Sequence, residues 1–210
     1  MTTESVSIGL EPGPRSARVW PWAAIAAAVV VMVVAMRLQG RIWISESGMV
    51  SLWHTDVWSS ECSQQFADPY SITHVSHGLF FALFFGWVGR WLASRGFRQA
   101  GDWRWQLTAG VWVAAGWEIA ENSAAVIERY RTVTMSLNYM GDSILNATGD
   151  LVSCVVGFFL ARRLGTWKTL AFFAATELLL LWLIRDNLTL NVIMLLHPID
   201  AIREWQAAGR

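Results

Sequence analysis

The chain has 210 residues, of which 54% are hydrophobic and 15% charged, and its formal net charge is zero. Soluble domains carry about 25% charged residues, so this composition predicts a polytopic membrane protein. A zero net charge gives no support to nucleic-acid binding, and no nucleic-acid partner is expected. The two cysteines, Cys62 and Cys154, lie far apart in unlike contexts, which argues against a structural disulfide.

The amino-terminal 18 residues contain Gly9, Pro12, Gly13 and Pro14 and are predicted to form a disordered cytoplasmic tail. The hydrophobic run that follows, residues 19–36, is long enough to span a membrane and has no convincing small-residue cleavage site after it. We therefore expect no cleavable signal peptide.

Five apolar runs approach the length of about 20 residues that a spanning helix needs. They predict an all-α, polytopic bundle of about five spanning helices in a single domain, residues 19–199. The predicted spans are approximately residues 20–38, 74–92, 105–127, 143–164 and 168–184. A sixth run, residues 188–199, is too short to cross and is interpreted as a lid or interfacial helix. It leads into an amphiphilic tail, residues 200–210.

The arginine and lysine distribution predicts the orientation. With a cytoplasmic amino terminus, the 16 basic residues divide nine inside to seven outside, which is a weak bias. The short basic loops at residues 90–104 and 162–168 strengthen it, whereas the first outer loop carries four acids. The prediction is a multi-pass protein of the bacterial inner membrane, with the amino terminus cytoplasmic and the carboxyl terminus periplasmic.

Ionisable and amide side chains interrupt three of the predicted spans, at residues 71–77, 117–122 and 141–150. A charge in hydrocarbon is costly unless it is paired, wetted or bound to an ion, so these segments are candidate functional sites. The side chains concerned are His74, His77, Glu118, Glu121, Asn122, Asp142, Asn146 and Asp150.

These side chains should meet in one place. With a rise of 1.5 Å per residue, the deeper ones lie about 6 to 14 Å below the outer helix ends, in one half of the bilayer. Within each segment they are spaced three or four residues apart, which places them on one helix face. The sequence therefore predicts one polar cavity that opens towards the periplasm.

Several of these residues also have a purely structural interpretation. His74 is compatible with an interfacial position, Asp142 with an N-cap, and Asn146 with hydrogen bonding between helices. Glu118 and Glu121 are harder to explain in this way. Two carboxylates one turn apart repel each other when both are ionised, so either one is protonated or both face a cation or a histidine.

Glu177, mid-way along the fifth predicted span, is a further buried acid. The sequence leaves two alternatives open for it: membership of the polar cluster, or a pair with Arg185.

Two family resemblances follow from these residues. A histidine near a helix start, a glutamate-containing third helix followed by arginine, and an Asp-x-x-x-Asn-x-x-Gly motif together resemble the VanZ-like membrane proteins. The matching positions are His74 or His77, Glu118 or Glu121, Arg129 or Arg131, and Asp142, Asn146 and Gly149. This resemblance implies a role in the cell envelope without naming a reaction.

The second resemblance concerns the carboxyl-terminal segment from Leu190 to Gln206. It is similar to the ending of a family of small, uncharacterised alphaproteobacterial inner-membrane proteins, and the likeness covers most of the chain. This family carries no established activity.

The leading functional hypothesis is a hydrolase or transferase that acts at the outer leaflet on a lipid or a lipid-linked envelope precursor. The predicted catalytic residues are Glu118, Glu121, Asp142, His77 and Asn146. Arg129 and Arg131 are predicted to bind a substrate phosphate. The sequence leaves two alternatives open for the carboxylates: they supply acid–base chemistry, or they hold a divalent cation, for which the candidate ligands are His74, His77, Glu118, Glu121 and Asp142. The Gly-x-Ser-x-Gly and His-Glu-x-x-His motifs are absent from the sequence.

Two alternatives use the same residues. A proton- or cation-coupled transporter would need a homo-oligomer, because the chain has only five predicted spans and no internal repeat. A non-catalytic accessory or scaffold protein would use the polar residues to fix helix packing. In each case the expected surroundings are the lipid bilayer.

Overall fold

A computed structural model describes residues 15–134, 136 and 138–208. Over these residues the chain forms eight α-helices and no β-strand, which confirms the all-α class. The helices are α1 (Arg15–Leu38), α2 (Ser71–Ser94), α3 (Trp103–Glu121), α4 (Ala124–Val133), α5 (Ile144–Leu164), α6 (Thr166–Ile184), α7 (Leu188–Leu196) and α8 (Asp200–Ala207). The predicted tail, residues 1–18, lies outside the described residues except for its last four, which begin α1 and are helical rather than disordered.

Four helices are long and apolar enough to cross a membrane: residues Val19–Leu38 of α1, and the whole of α2, α5 and α6. The remaining predicted span corresponds to α3, whose 19 residues would extend about 28 Å. Its lower apolarity reflects polar residues that the bundle buries, among them Gln106 and Glu118.

Helix α3 runs beside α1 along the length of the bundle. At one end the Thr108 hydroxyl donates a hydrogen bond to the Pro21 carbonyl at 3.2 Å, and at the other the Gln39 amide donates to the Ile119 carbonyl at 3.0 Å. The two helices are therefore parallel. The bundle thus has five long helices, although α3 is less apolar than the other four.

The predicted third span was too long at its carboxyl-terminal end. Residues 105–127 were expected to form one helix, but the chain breaks at Asn122 and restarts as α4. The Ser123 side chain accepts a hydrogen bond from the Val126 N–H and so caps the new helix. This break lets Asn122 face the loop that precedes α5.

The closest helix pair is α2 with α5, and glycines bring the two backbones together. A Cβ added at Gly157 would lie 2.0 Å from the Val75 carbonyl oxygen, and one at Gly78 would lie 1.9 Å from the Cys154 carbonyl oxygen. Leu79 is also buried in this part of the core. Cys62 and Cys154 are both free, in agreement with the sequence prediction.

The predicted outer loop, residues 39–70, packs onto the first turn of α5. The Ile144 and Leu145 N–H groups donate to the carbonyls of Ile42 and Trp43, at 2.9 and 3.1 Å. These N–H groups have no partner within their own helix, so the loop satisfies them. The loop thereby fixes the amino end of α5, where the polar segment 142–150 begins.

Candidate functional site

A cavity of about 160 Å³ lies among α2, α3, α5 and α7. His77, Glu121 and Asn146 all line it, so three helices direct their polar side chains into one space, as the sequence predicted. The other lining residues include Tyr70, His74, Trp117, Tyr130, Tyr139, Asp142, Asp150, Leu188, Asn191, Val192 and Leu195.

His74 of α2 lies between two carboxylates. Its Nδ1 is 3.4 Å from Glu118 Oε1 of α3, and its Nε2 is 3.8 Å from Asp150 Oδ2 of α5. The other Asp150 oxygen accepts a hydrogen bond from the Ser71 hydroxyl at 2.6 Å. One histidine thus connects three helices, which goes beyond the interfacial interpretation of His74.

Glu118 is the least satisfied polar group of the cluster. Only 1% of the residue is exposed, and neither carboxylate oxygen has a hydrogen-bond partner among the described residues. The 3.4 Å approach of His74 Nδ1 is within ion-pair range but is too long for a good hydrogen bond. A buried carboxyl group in this state either takes up a proton or has a further partner.

Glu121, one turn further along α3, is half-buried and lines the cavity. The side chains of Tyr130 and Trp117 lie beside its carboxylate in the same cavity. A ligand atom on each of His74, Glu118 and Glu121 can be chosen so that all three lie within 4.8 Å of one another. Both glutamates therefore lie near one histidine, in line with the sequence argument that adjacent carboxylates need such a neighbour.

Asp142 is held from two sides in the loop before α5. Its Oδ2 accepts a hydrogen bond from the Asn122 amide at 2.7 Å, and its Oδ1 accepts one from the Tyr139 hydroxyl at 2.9 Å. The Asp142 N–H donates in turn to Asn122 Oδ1 at 2.6 Å. Burial raises the pKa of Asp142 to about 6, against the lowering effect of these hydrogen bonds. The N-cap of α5 is Ser143, so the N-cap interpretation of Asp142 is wrong.

Asn146 lines the cavity but also anchors the outer loop. Its amide donates to the Gln65 carbonyl at 2.7 Å, and its own N–H donates to the Ser143 side chain at 3.1 Å. Asn146 therefore has a structural role, but it joins α5 to the loop before α2, and not to another helix as the structural interpretation had predicted.

The imidazole of His77 packs against three neighbouring aromatic rings. It stacks on Phe81 with 6.2 Å between centroids, and it meets His74 and Trp117 edge-on at 5.3 and 6.5 Å. Within the described part of the chain, no side-chain hydrogen bond occupies its nitrogens. These nitrogens are available to a molecule in the cavity.

Helix α7 forms the apolar wall of the cavity. Leu188, Val192 and Leu195 line it, whereas Leu196 is 79% exposed on the other side of the helix. The Tyr130 hydroxyl donates to Asn191 Oδ1 at 3.1 Å and ties α4 to this wall. The short sixth run of the sequence is therefore a helix that covers the cavity, which agrees with its interpretation as a lid.

Arg129 and Arg131 lie on α4 and are not among the cavity-lining residues. The Arg129 side chain donates to the Leu195 carbonyl at 3.0 Å, and that of Arg131 donates to the Tyr139 carbonyl at 2.5 Å. Both guanidinium groups thus bond to backbone around the cavity. Their role in binding a substrate stays a prediction without support from their placement.

Two features of the site were missed or underweighted from the sequence. The three tyrosines Tyr70, Tyr130 and Tyr139 come from outside the predicted spans, so no helix periodicity marked them. Asp150 was noted in the polar segment but was not proposed as a site residue, and its contact with His74 makes it one. The four-residue spacing from Asn146 was the available signal.

The fold and site define the class: a helical bundle with four helices long and apolar enough to cross a membrane, and with a buried histidine–carboxylate cluster at one end. The chain belongs to the family described as "Protein of unknown function (DUF2585)", whose sequence model matches residues 36–208. This agrees with the resemblance to small uncharacterised alphaproteobacterial proteins, whereas the VanZ-like resemblance is not supported.

Similar proteins named "UPF0314 protein" occur in several bacteria. The chain is 45% identical to one from Paracoccus denitrificans over 196 residues, which cover 92% of this chain and 94% of the relative. It is 44% identical to one from Sphingopyxis alaskensis over 188 residues, covering 90% and 95%. A relative from Novosphingobium aromaticivorans is 42% identical over 182 residues, covering 87% and 88%. No solved structure matches the chain significantly.

Proposed function

We propose that this protein is a membrane-embedded hydrolase or transferase that acts on a lipid or a lipid-linked precursor of the cell envelope. The observation that carries the proposal is the cavity itself. It joins a histidine–carboxylate cluster on α2, α3 and α5 to an apolar wall on α7. This combination suits a substrate with a polar group and an apolar chain.

The proposed chemistry is general acid–base catalysis. His77, with no hydrogen bond on its ring, takes the role of the base that activates water or an acceptor hydroxyl. The imidazolium that forms then returns its proton to the leaving group, and the carboxylate of Glu121, with Tyr130 beside it, stabilises this positive charge within the same cavity. Asp142 and Asn146 act as positioning residues, because both are engaged in hydrogen bonds to neighbouring segments.

The apolar wall supports access from the lipid side. Leu188 and Leu195 of α7 face the cavity while Val192 is both a lining residue and 44% exposed. An acyl or polyprenyl chain can therefore pass along α7 while its polar end occupies the cavity. The volume, about 160 Å³, suits a small polar group rather than a whole lipid.

The bundle gives less support to a transport function. On the other side of the polar cluster, α2 and α5 approach closely at Gly78 and Gly157, and the buried Leu79 and Phe158 fill the space between helices. Among the described residues, no chain of ionisable side chains continues from the cluster to the opposite end. A proton or cation relay would need such a chain.

The test is a product search with purified protein. Vesicles of inner-membrane phospholipids, with and without a polyprenyl-diphosphate-linked sugar, are incubated with the wild type and analysed by mass spectrometry for cleaved or transferred groups. We expect turnover that falls at least about 100-fold in His77→Gln, the scale of a lost general acid or base, and that also falls in Glu121→Gln.

The matched control is Glu128→Gln, because Glu128 is an exposed acid on α4 that does not line the cavity. It should retain wild-type turnover. Equal turnover by His77→Gln and the wild type would remove the assigned base. The absence of any product from the whole substrate set would favour the accessory function instead.

A further inference from the structure

We infer that His74, Glu118 and Glu121 bind one divalent transition-metal ion, and that Asp150 orients the histidine from the other side. The site adjoins the cavity of the proposed function. The inference rests on that function only for the ion's chemical role, since ion binding itself can be measured without a substrate.

The spacing of the three side chains fits ligands of one ion. Each offers a ligand atom, and these atoms lie within 4.8 Å of one another. His74 Nδ1 and Glu118 Oε1 are 3.4 Å apart. Nitrogen and oxygen ligands about 2.0–2.2 Å from a tetrahedral ion are separated by roughly 3.3–3.6 Å. The distance that is too long for a hydrogen bond is therefore suitable for two ligands of the same ion.

The unpartnered carboxylate of Glu118 is the independent sign of a ligand. Both of its oxygens are buried without a hydrogen bond among the described residues, and the residue is 1% exposed. Leaving a buried charge without a partner is strongly destabilising. A cation between Glu118, His74 and Glu121 would supply the missing partner.

The far side of the histidine has the arrangement expected around a metal ligand. A metal-bound histidine commonly directs its second nitrogen to a carboxylate, which fixes the orientation of the ring. Here His74 Nε2 is 3.8 Å from Asp150 Oδ2, and the Ser71 hydroxyl holds the other Asp150 oxygen at 2.6 Å. Nδ1 is then the nitrogen left for the ion.

The ligand set indicates the class of metal. Mg²⁺ and Ca²⁺ prefer sites made entirely of oxygen, whereas imidazole nitrogen favours first-row transition metals. One imidazole with two carboxylates is thus suited to Zn²⁺, Mn²⁺ or Fe²⁺. Three protein ligands would leave a coordination position for a water molecule or a substrate oxygen, as in catalytic zinc sites.

The test begins with metal content. Protein purified in detergent is stripped with a chelator, reloaded separately with Zn²⁺, Mn²⁺ or Mg²⁺, and analysed by inductively coupled plasma mass spectrometry. We expect one Zn²⁺ or Mn²⁺ per chain and much weaker retention of Mg²⁺. A wild-type protein that retains none of the three ions would overturn the inference.

Variants then assign the ligands. We expect Glu118→Gln and Glu121→Gln to weaken binding more than 10-fold, and Asp150→Asn to weaken it about 10- to 100-fold, as for other residues that support a ligand. Glu128→Gln is the control and should bind like the wild type. Equal affinity in the wild type and Glu118→Gln would contradict the site.

A stability measurement separates lost binding from misfolding. In chelator, Glu118→Gln should melt at or above the temperature of the wild type, because it removes an unpaired buried charge without changing the side-chain shape. With Zn²⁺ or Mn²⁺ the wild type should instead have the higher melting temperature, since only the wild type is stabilised by the bound ion. If the two proteins rank the same by melting temperature with the chelator and with the ion, this would argue against a metal.

The two proposals fail separately. If the protein binds metal stoichiometrically but turns over none of the vesicle substrates, the metal site is supported and the enzyme proposal is rejected. If the protein retains no metal and its turnover is unchanged by the chelator, the metal site is rejected and acid–base catalysis is supported.

Discussion

The carboxylate of Glu177, on α6, accepts a hydrogen bond from the backbone N–H of Thr189 at 2.9 Å, and a second from Leu188 at 3.1 Å. Both donors belong to the first turn of α7, which has no partners for them within its own helix. A buried acid of the bundle therefore caps the helix that covers the cavity. Neither sequence alternative for Glu177 was right: it does not line the cavity, and Arg185 donates to the Trp205 carbonyl.

Glu177→Ala should loosen α7 without unfolding the bundle. The change removes two hydrogen bonds and a negative charge at a helix amino terminus, a loss of about 1–2 kcal/mol by comparison with other capping residues. Hydrogen–deuterium exchange should show faster exchange in residues 188–196 and unchanged exchange in α2 and α5. Equal exchange of α7 in the variant and the wild type would show that the cap does not hold this helix.

A pair of glycine substitutions tests the α2–α5 contact. Gly157→Ala places a Cβ 2.0 Å from the Val75 carbonyl oxygen, so a backbone has to move, and we expect destabilisation of about 1–3 kcal/mol or more. Gly116→Ala is the matched control, because no atom lies within 4 Å of the added Cβ. For Gly116→Ala we expect no loss of stability, and a gain of up to about 1 kcal/mol in the free energy of unfolding from helix propensity. Thermal unfolding in detergent measures both, and similar melting temperatures for the two variants would contradict the close approach.

The helices were predictable because apolar run length is a local property. Four of the predicted spans match helices that satisfy the membrane criterion, with boundaries that differ by a few residues. The convergence of His77, Glu121 and Asn146 was also predictable, since three- and four-residue spacings define helix faces. Both results depend on chemistry that each helix carries by itself.

The remainder depended on tertiary contacts that no local pattern marks. The outer loop reaches α5 through backbone groups, such as the Ile42 carbonyl that accepts from Ile144, and any residue type can make such a bond. Asn122 appeared as one more polar residue of a span, whereas the helix break turns it towards Asp142. The capping role of Glu177 could be predicted only by knowing that the first turn of α7 lies beside α6.

The number of crossings decides where the carboxyl terminus lies, and reporter fusions test it. Helix α3 runs the length of the bundle. The end of the bundle at which α3 begins carries Arg98, Arg162 and Arg163. We therefore expect a reporter inserted near Gly96 to behave as cytoplasmic and one fused after Ala208 to behave as periplasmic. Alkaline phosphatase and green fluorescent protein give opposite signals at each site. A cytoplasmic carboxyl terminus would indicate that α3 does not cross.

Asp186 should make stability depend on pH. It is 2% exposed, and burial raises its pKa from 3.8 to about 6, although it accepts hydrogen bonds from Tyr70, Asn187 and Gln206. Between these pH values the folded protein keeps a proton that the unfolded chain releases. The free energy of unfolding should therefore fall as the pH rises from about 4 to 6, by about 3 kcal/mol at most, and then level off.

Comparison with Asp186→Asn isolates this contribution, because the neutral amide does not titrate. Asp142, whose pKa burial raises from 3.8 to about 6, acts in the same window and with the same sign. Glu61, whose pKa is lowered from 4.5 by its hydrogen bond from Ser45, acts with the opposite sign at lower pH. The difference between the wild type and Asp186→Asn, measured by thermal unfolding at each pH, removes these shared effects. The wild type should lose stability relative to the variant between pH 4 and 6. Parallel curves would show that Asp186 keeps an ordinary pKa, in which case its burial between α2 and α8 would have to be relieved by water.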